Sequence, residues 1–472
     1  MNPPPARVER DLLGDLAVPE GALHGIHGER ALANHPILGR PVHPALIRAY
    51  AQVKLACLRA NVRLGHLPAE VAPAIEAACA EMIDGRLGIP PIDAYQGGAG
   101  TSTNLAVSEV LANRAQVLRG GQPGDSAGIT ASGHLNLHQS TNDTYQAALR
   151  VAGILLVRDL EVAITALQDA CQDRERAWAE VVCLGRTEGM DAVLITMGRR
   201  AGCWADALGR DRWRMSKCEE RLRVVALGGT AVGTGIGAPR DFILSVTNDL
   251  RAVTGLNLAR SENLMDAVQN QDALVEVHGI ATALATTLLK VCGDLRLLSS
   301  GPQGGLGELH LPARQAGSSL MPGKINPVVP EAATQAALRV LGNHQVLAHA
   351  AGLGSLELNP FAPLLAETLL ESLGLLANAC RALARDCIPG LTLVPEQITA
   401  NAQADTALVT ALVGDLGYQA ATAIAAEQAT TGEALVVVAA RHGIDAARWT
   451  ELTRPERVLR LGDRPIAKGP RP

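Results

Sequence analysis

The run Gly317-Ser318-Ser319-Leu320-Met321-Pro322-Gly323-Lys324-Ile325-Asn326-Pro327 concentrates hydroxyls, an ammonium and a carboxamide among glycines and prolines. Lys324 and Asn326 suit an anionic substrate group, and Ser318 and Ser319 can accept a proton, donate a hydrogen bond or act as a nucleophile. Gly317 and Gly323 free the backbone while Pro322 and Pro327 restrict it, so the segment reads as a polar loop able to serve as an active-site lid. Three other polar clusters interrupt the apolar background. Gly100-Thr101-Ser102-Thr103-Asn104 precedes a helix carrying Val107, Leu111 and Leu118, and Gln139-Ser140-Thr141-Asn142-Asp143 opens one carrying Leu149 and Leu156; the third cluster is Gly185-Arg186-Thr187-Glu188. Hydroxyls and free N–H groups at helix starts favour bound carboxylates, and the same residue types also serve as ordinary helix caps.

Long helices must position these clusters. With 472 residues the chain exceeds one ordinary core, and it is 47% hydrophobic but only 2% aromatic, so Ala, Leu and Val must fill the interior. Small side chains favour close helix packing and predict a mainly all-α fold. Val277, Ala281, Leu284, Leu288, Val291, Leu295 and Leu298 recur in steps of four and three, which predicts a helix buried in a bundle rather than a membrane span. Leu149 to Leu167, Leu338 to Ala351 and Pro363 to Cys387 extend the set, and their broad apolar faces predict burial by partner subunits. Three regions are expected: a mostly helical domain over 1–140, a central long-helix bundle over 141–394 with the 317–327 loop, and a small helical domain over 395–472. A polar tail, Arg464 to Pro472, ends the last.

A net charge of −5 without a long basic run argues against a nucleic-acid partner. Met1-Asn2-Pro3-Pro4-Pro5 leads into charged residues without a signal-peptide core, so a cytoplasmic chain with no membrane partner is expected. The nine cysteines lack a Cys-x-x-Cys pair and read as reduced, mostly buried thiols. His134, His138 and His310 lack zinc-motif spacing, and no Walker or Rossmann glycine pattern occurs, so neither a metal nor another cofactor is expected.

Taken in order, the four clusters resemble the aspartase/fumarase superfamily, whose signature Gly-Ser-Ser-x-Met-Pro-x-Lys-x-Asn-Pro matches residues 317–327 throughout. The similarity runs from Leu23-His24-Gly25-Ile26-His27 through Leu227-Gly228-Gly229-Thr230 to the C-terminal region. The flanks Leu311-Pro312-Ala313-Arg314-Gln315-Ala316 and Val328-Val329-Pro330-Glu331 look like the aspartate ammonia-lyase branch. The resemblance implies a three-domain architecture and a homotetramer with composite active sites acting on a small dicarboxylate. It further implies that Thr101, Ser140, Thr141 and Ser319 hold the β-carboxylate, with Ser318 as the base at Cβ. Thr187, Lys324 and Asn326 would bind the α-carboxylate, Lys324 would favour the Ser318 alkoxide, and Asn142 would contact the amino group.

The chain departs from that pattern at Glu188-Gly189-Met190, Leu105, Ala106, Ser108 and Arg199-Arg200. A Glu188 carboxylate beside a leaving ammonium would bind it electrostatically, which favours an amine substrate over a hydroxylated one. The resemblance also puts Glu331 near that position. Elimination of ammonia from L-aspartate is therefore the leading expectation. The alternatives are a lyase for a modified or N-substituted aspartate, a class II fumarate hydratase, and a catalytically silent binding or structural homologue.

Overall fold

Residues 5–34, 36–402, 406–459 and Gly462 are described in a computed structural model. The chain opens on a hairpin: β1 (Ala6–Asp11) pairs antiparallel with β2 (Gly14–Pro19), its side chains alternating between exposed and half-buried. Helices follow as α1 (Ile26–Asn34), α2 (Pro44–Arg63), α3 (Ala72–Ile83), α4 (Thr101–Leu118) and the long α5 (Thr141–Ala177). A second hairpin, β3 (Val182–Thr187) with β4 (Met190–Thr196), precedes α6 (Met197–Ser216), α7 (Cys218–Leu222), α8 (Arg240–Thr254) and α9 (Leu264–Gln269). Three more long helices complete the middle of the chain: α10 (Asp272–Leu298), α11 (Val328–Gly352) and α12 (Ala362–Asp386). The fold is mainly α, as composition predicts.

Helix α10 is long and apolar enough to cross a membrane by length and composition. All seven residues of its predicted seam, Val277 through Leu298, are nevertheless buried, as in the core helix of a bundle. Helix α11 begins at Val328, earlier than the Leu338 read from sequence. Its Pro330 falls in the first turn, where a missing N–H breaks no helical bond, so proline there opens the helix instead of ending it. The two hairpins depart from the mostly helical reading of these stretches: β1 and β2 are short and bury little, which leaves a weak apolar signal, and β3 and β4 are short without regular alternation. Eight of the nine cysteines are buried and Cys203 is exposed, and none of the nine forms a disulfide.

By proximity the chain forms two compact units, each drawn from three stretches. Unit 1 comprises Met1–Val162, Asp211–Thr286 and Ala336–Asn378; within it α2 packs on α3 and α8, and α4 packs on α1 and α3. Unit 2 comprises Ala163–Arg210, Thr287–Gln335 and Ala379–Pro472. Its C-terminal helices have a small core of their own around Leu412, Ile424, Leu435, Val438 and Leu452. The units group residues by proximity, whereas the regions 1–140, 141–394 and 395–472 remain our proposed division in chain order. Arg464 to Pro472 lies outside the described residues.

Candidate active site

Thr101 opens α4 after a left-handed turn in which Gly98, Ala99 and Gly100 all have positive φ. Gly100 lies so close to α5 that an added Cβ would meet the Tyr145 ring at 2.2 Å, so only glycine brings the start of α4 against the start of α5. Thr101 is exposed, and its Oγ1 donates to the Gly98 carbonyl at 2.6 Å. One turn along, Asn104 Nδ2 donates to Thr141 Oγ1 at 2.9 Å and to Asn136 Oδ1 at 3.1 Å. Thr101, Ser140, Thr141 and Asn142 thus share one corner of unit 1.

Asp143, fully buried, holds that corner in place. Its Oδ1 accepts from Ser140 N at 3.0 Å, and its Oδ2 accepts from Gly228 N and Thr230 N, both at 3.0 Å. Burial outweighs these bonds and pushes its pKa up to about 6. Asn142 Nδ2 donates to the Ala231 carbonyl at 2.7 Å, leaving its Oδ1 as an acceptor. Ser140 Oγ accepts from Asn142 N at 3.3 Å.

The remaining candidates lie in unit 2. Thr187 ends β3, and Glu188 and Gly189 form the hairpin tip, both with positive φ as a type I′ turn requires. Thr187 and Glu188 are exposed. The neighbouring Arg186 is anchored by the fully buried Glu308, which accepts from Arg186 at 2.7 Å, Asn401 at 2.8 Å and Arg200 at 3.4 Å. In the signature loop, Ser318 Oγ accepts from Leu320 N at 3.2 Å and Met321 N at 3.0 Å. The loop crosses itself at its base: a Cβ on Gly317 would fall 1.0 Å from the Lys324 carbonyl oxygen. Ser319, Leu320, Met321 and Lys324 are exposed, while Ser318 and Asn326 are half-buried. Glu331, in the first turn of α11, faces Arg296 at 3.9 Å. Among the described residues no hydrogen bond joins the Thr187–Glu188 tip to this loop.

A cavity of about 500 Å³ in unit 1, lined in part by His27, Glu109, Asn113, Thr130 and Ser132, contains none of the predicted site residues. Glu109 anchors its wall by accepting N–H bonds from Gly25, His27 and Gly28.

A family model described as Lyase matches residues 14–342. The chain belongs to the aspartase/fumarase superfamily. An aspartate ammonia-lyase of Pseudomonas aeruginosa is 39% identical over 96% of this chain and 97% of that protein. A class II fumarate hydratase of Mycobacterium tuberculosis is 41% identical over 89% of this chain and 88% of its own length. Among solved structures, the fumarate lyase:delta crystallin of Brucella melitensis bound to cobalt superposes with a TM-score of 0.90 at 39% identity, covering 95% of this chain and 98% of that one. A lyase is thereby established, with both ammonia-lyases and hydratases among its relatives. In this superfamily member, sequence reasoning gave no role to Lys54, Asn136 or Glu308, and none to Asn104 or Asp143 although both stand inside quoted clusters. Lys54 did carry a signal, as a cation within the apolar run Val53-Lys54-Leu55-Ala56.

Proposed function

We propose that the protein is an aspartate ammonia-lyase, eliminating ammonia reversibly from L-aspartate to give fumarate. The observation that carries this reading is the Ser318 hydroxyl, whose oxygen accepts two backbone N–H groups inside the signature loop. Donors aimed at that oxygen favour its alkoxide, and Lys324 adds positive charge within the same loop. The alkoxide takes the Cβ proton. The electron pair released spreads into the β-carboxylate as an aci-carboxylate, then forms the carbon–carbon double bond as the C–N bond breaks and ammonia leaves with its pair. Thr101, Ser140, Thr141 and Ser319 would hold the growing β-carboxylate charge, and Thr187, Lys324 and Asn326 the α-carboxylate. Ser318 then returns its proton to solvent.

Asn142 supports an amine substrate. With Nδ2 committed to Ala231, its Oδ1 is available to accept from an amino group. Glu188 would add a negative charge beside the departing ammonium. A homotetramer with composite sites belongs to the same proposal, supported by Val162, Leu338 and Val346, which are exposed on the long helices.

Incubation with L-aspartate should produce fumarate, followed by ultraviolet absorbance, together with equimolar ammonia. The 41% identity to a fumarate hydratase makes malate the second substrate to assay. Fumarate from malate alone would replace the ammonia-lyase reading with hydration; silence on both would redirect it to N-substituted aspartates.

A further inference from the structure

Lys54 of α2 is 1% exposed. Its Nζ donates to Asn136 Oδ1 and Gln139 Oε1, both at 3.0 Å, and lies 5.7 Å from the Tyr50 ring centre. Asp143 adds a favourable charge from α5, but its oxygens serve backbone N–H groups rather than the ammonium. A buried ammonium held by amide oxygens is costly, and a methionine of similar length would fill the space without that cost.

The amides around it lead to the candidate site. Asn136 Oδ1 also accepts from Asn104 Nδ2, and that same Nδ2 donates to Thr141 Oγ1. A threonine oxygen that accepts from a fixed amide has its own hydrogen left to donate elsewhere. Gln139, the other partner of Lys54, immediately precedes Ser140 and is tied by its Nε2 to the Leu135 and Leu137 carbonyls.

We propose that Lys54 is a positioning residue for dicarboxylate binding: it fixes Asn136 and Gln139, orients Thr141 through Asn104 as a donor, and sets a positive charge beneath the start of α5. The inference rests on the ammonia-lyase reading, in which Ser140 and Thr141 receive the carboxylate whose charge grows during reaction. Burial pulls the Lys54 pKa down to about 8, so a bound dianion would favour its ammonium form and draw in a proton at alkaline pH. The other groups facing it keep one charge state over that range. Tyr50 and Cys57 on α2 and Cys79 on α3 are all pushed up by burial, and Asp143 on α5 is ionised above about 6. Asn136 and Gln139 do not titrate.

Succinate, an unreactive dicarboxylate, is the probe, titrated calorimetrically into the full-length protein in buffers of different ionisation heat. Between about pH 7 and about pH 9, binding to the wild type should weaken about tenfold, with net proton uptake at the upper pH. Lys54→Met should bind at least about tenfold more weakly near pH 7 and show neither pH dependence nor proton uptake. Lys54→Arg, which keeps the charge, should restore much of the affinity while remaining independent of pH. If Lys54→Met does not fold, Asn104→Ala decides, since it should weaken binding yet retain proton uptake. Wild-type affinity and proton uptake in Lys54→Met, or unchanged affinity in Asn104→Ala, would overturn the role of Lys54 and leave the lyase reading intact. If the wild type turns over aspartate but binds succinate too weakly to titrate, the same comparisons are made on KM for aspartate. A wild type that neither binds succinate nor makes fumarate would remove both.

Discussion

The start of α5 and the signature loop carry similar side chains but hold them in opposite ways. Around Ser140–Asp143 the polar groups are bonded to protein: Asp143 takes three N–H groups, Asn142 holds the Ala231 carbonyl, and Asn104 spans Thr141 and Asn136. In the 317–327 loop the Ser318 oxygen is held by its own turn, while Leu320 is 85% exposed and Met321 and Ile325 also face outward. Donors that stabilise growing charge work best when aimed before the substrate arrives. A loop that covers a substrate must stay free to move. On the proposed assignment, the carboxylate donors are fixed by protein bonds while the base rides on an exposed loop.

The largest effect expected on that division comes from Ser318→Ala. Removing the proposed base should lower fumarate formation by about 10²–10⁴-fold in steady-state assays while leaving thermal stability unchanged, because among the described residues its side-chain hydrogen bonds stay within its own turn. Normal turnover would eliminate Ser318 as the base. A pair of glycine variants probes the same contrast with smaller effects. Gly317→Ala places a methyl onto the Lys324 carbonyl and must open the loop, so turnover should drop about 10²-fold with little change in melting temperature. Gly100→Ala drives a methyl into Tyr145 at a backbone φ of +90° and should cost about 1–3 kcal/mol of stability in denaturant unfolding. If both variants lost stability alike, the loop would be as structural as the α5 corner.

How legible each region was in the sequence follows the same physics. The loop announced itself because its chemistry is contiguous from Ser318 to Asn326 and its glycines and prolines mark it as irregular. The α10 seam was legible because helical burial repeats every three to four residues. Lys54 found its amide partners 82 and 85 positions away, and no local pattern encodes such a pairing. The hairpin bearing Thr187 hid for another reason: β3 is a short strand with an irregular register between Leu184 and Arg186, so alternation breaks down within it. Asp143 stood in plain view, but a carboxylate in a helix's first turn reads as a cap until the Gly228 and Thr230 amides are seen beneath it.

The smallest expected effects concern pH, where two buried groups of unit 1 pull in opposite directions. Burial holds the Asp143 pKa up at about 6 against an unperturbed 3.8. Between these values the folded state binds more protons than the unfolded one, so this group's contribution to stability falls as pH rises. His278, bonded to Ser372 at 2.9 Å and stacked on His344, is pushed down to about 4 from 6.5, first by burial and then by His344. Here the unfolded state binds more protons between about 4 and 6.5, so the contribution rises with pH. Each shift corresponds to about 3 kcal/mol, and over the shared window the two nearly offset. Asp143→Asn, which keeps one carbonyl for Gly228 and Thr230, should therefore unmask a stability that climbs from about pH 4 to about pH 6.5 in urea unfolding. His278→Gln should unmask the opposite slope. Parallel curves for both variants and the wild type would mean that neither group keeps its buried titration, and that the α5 corner is more open to water than its hydrogen bonds imply.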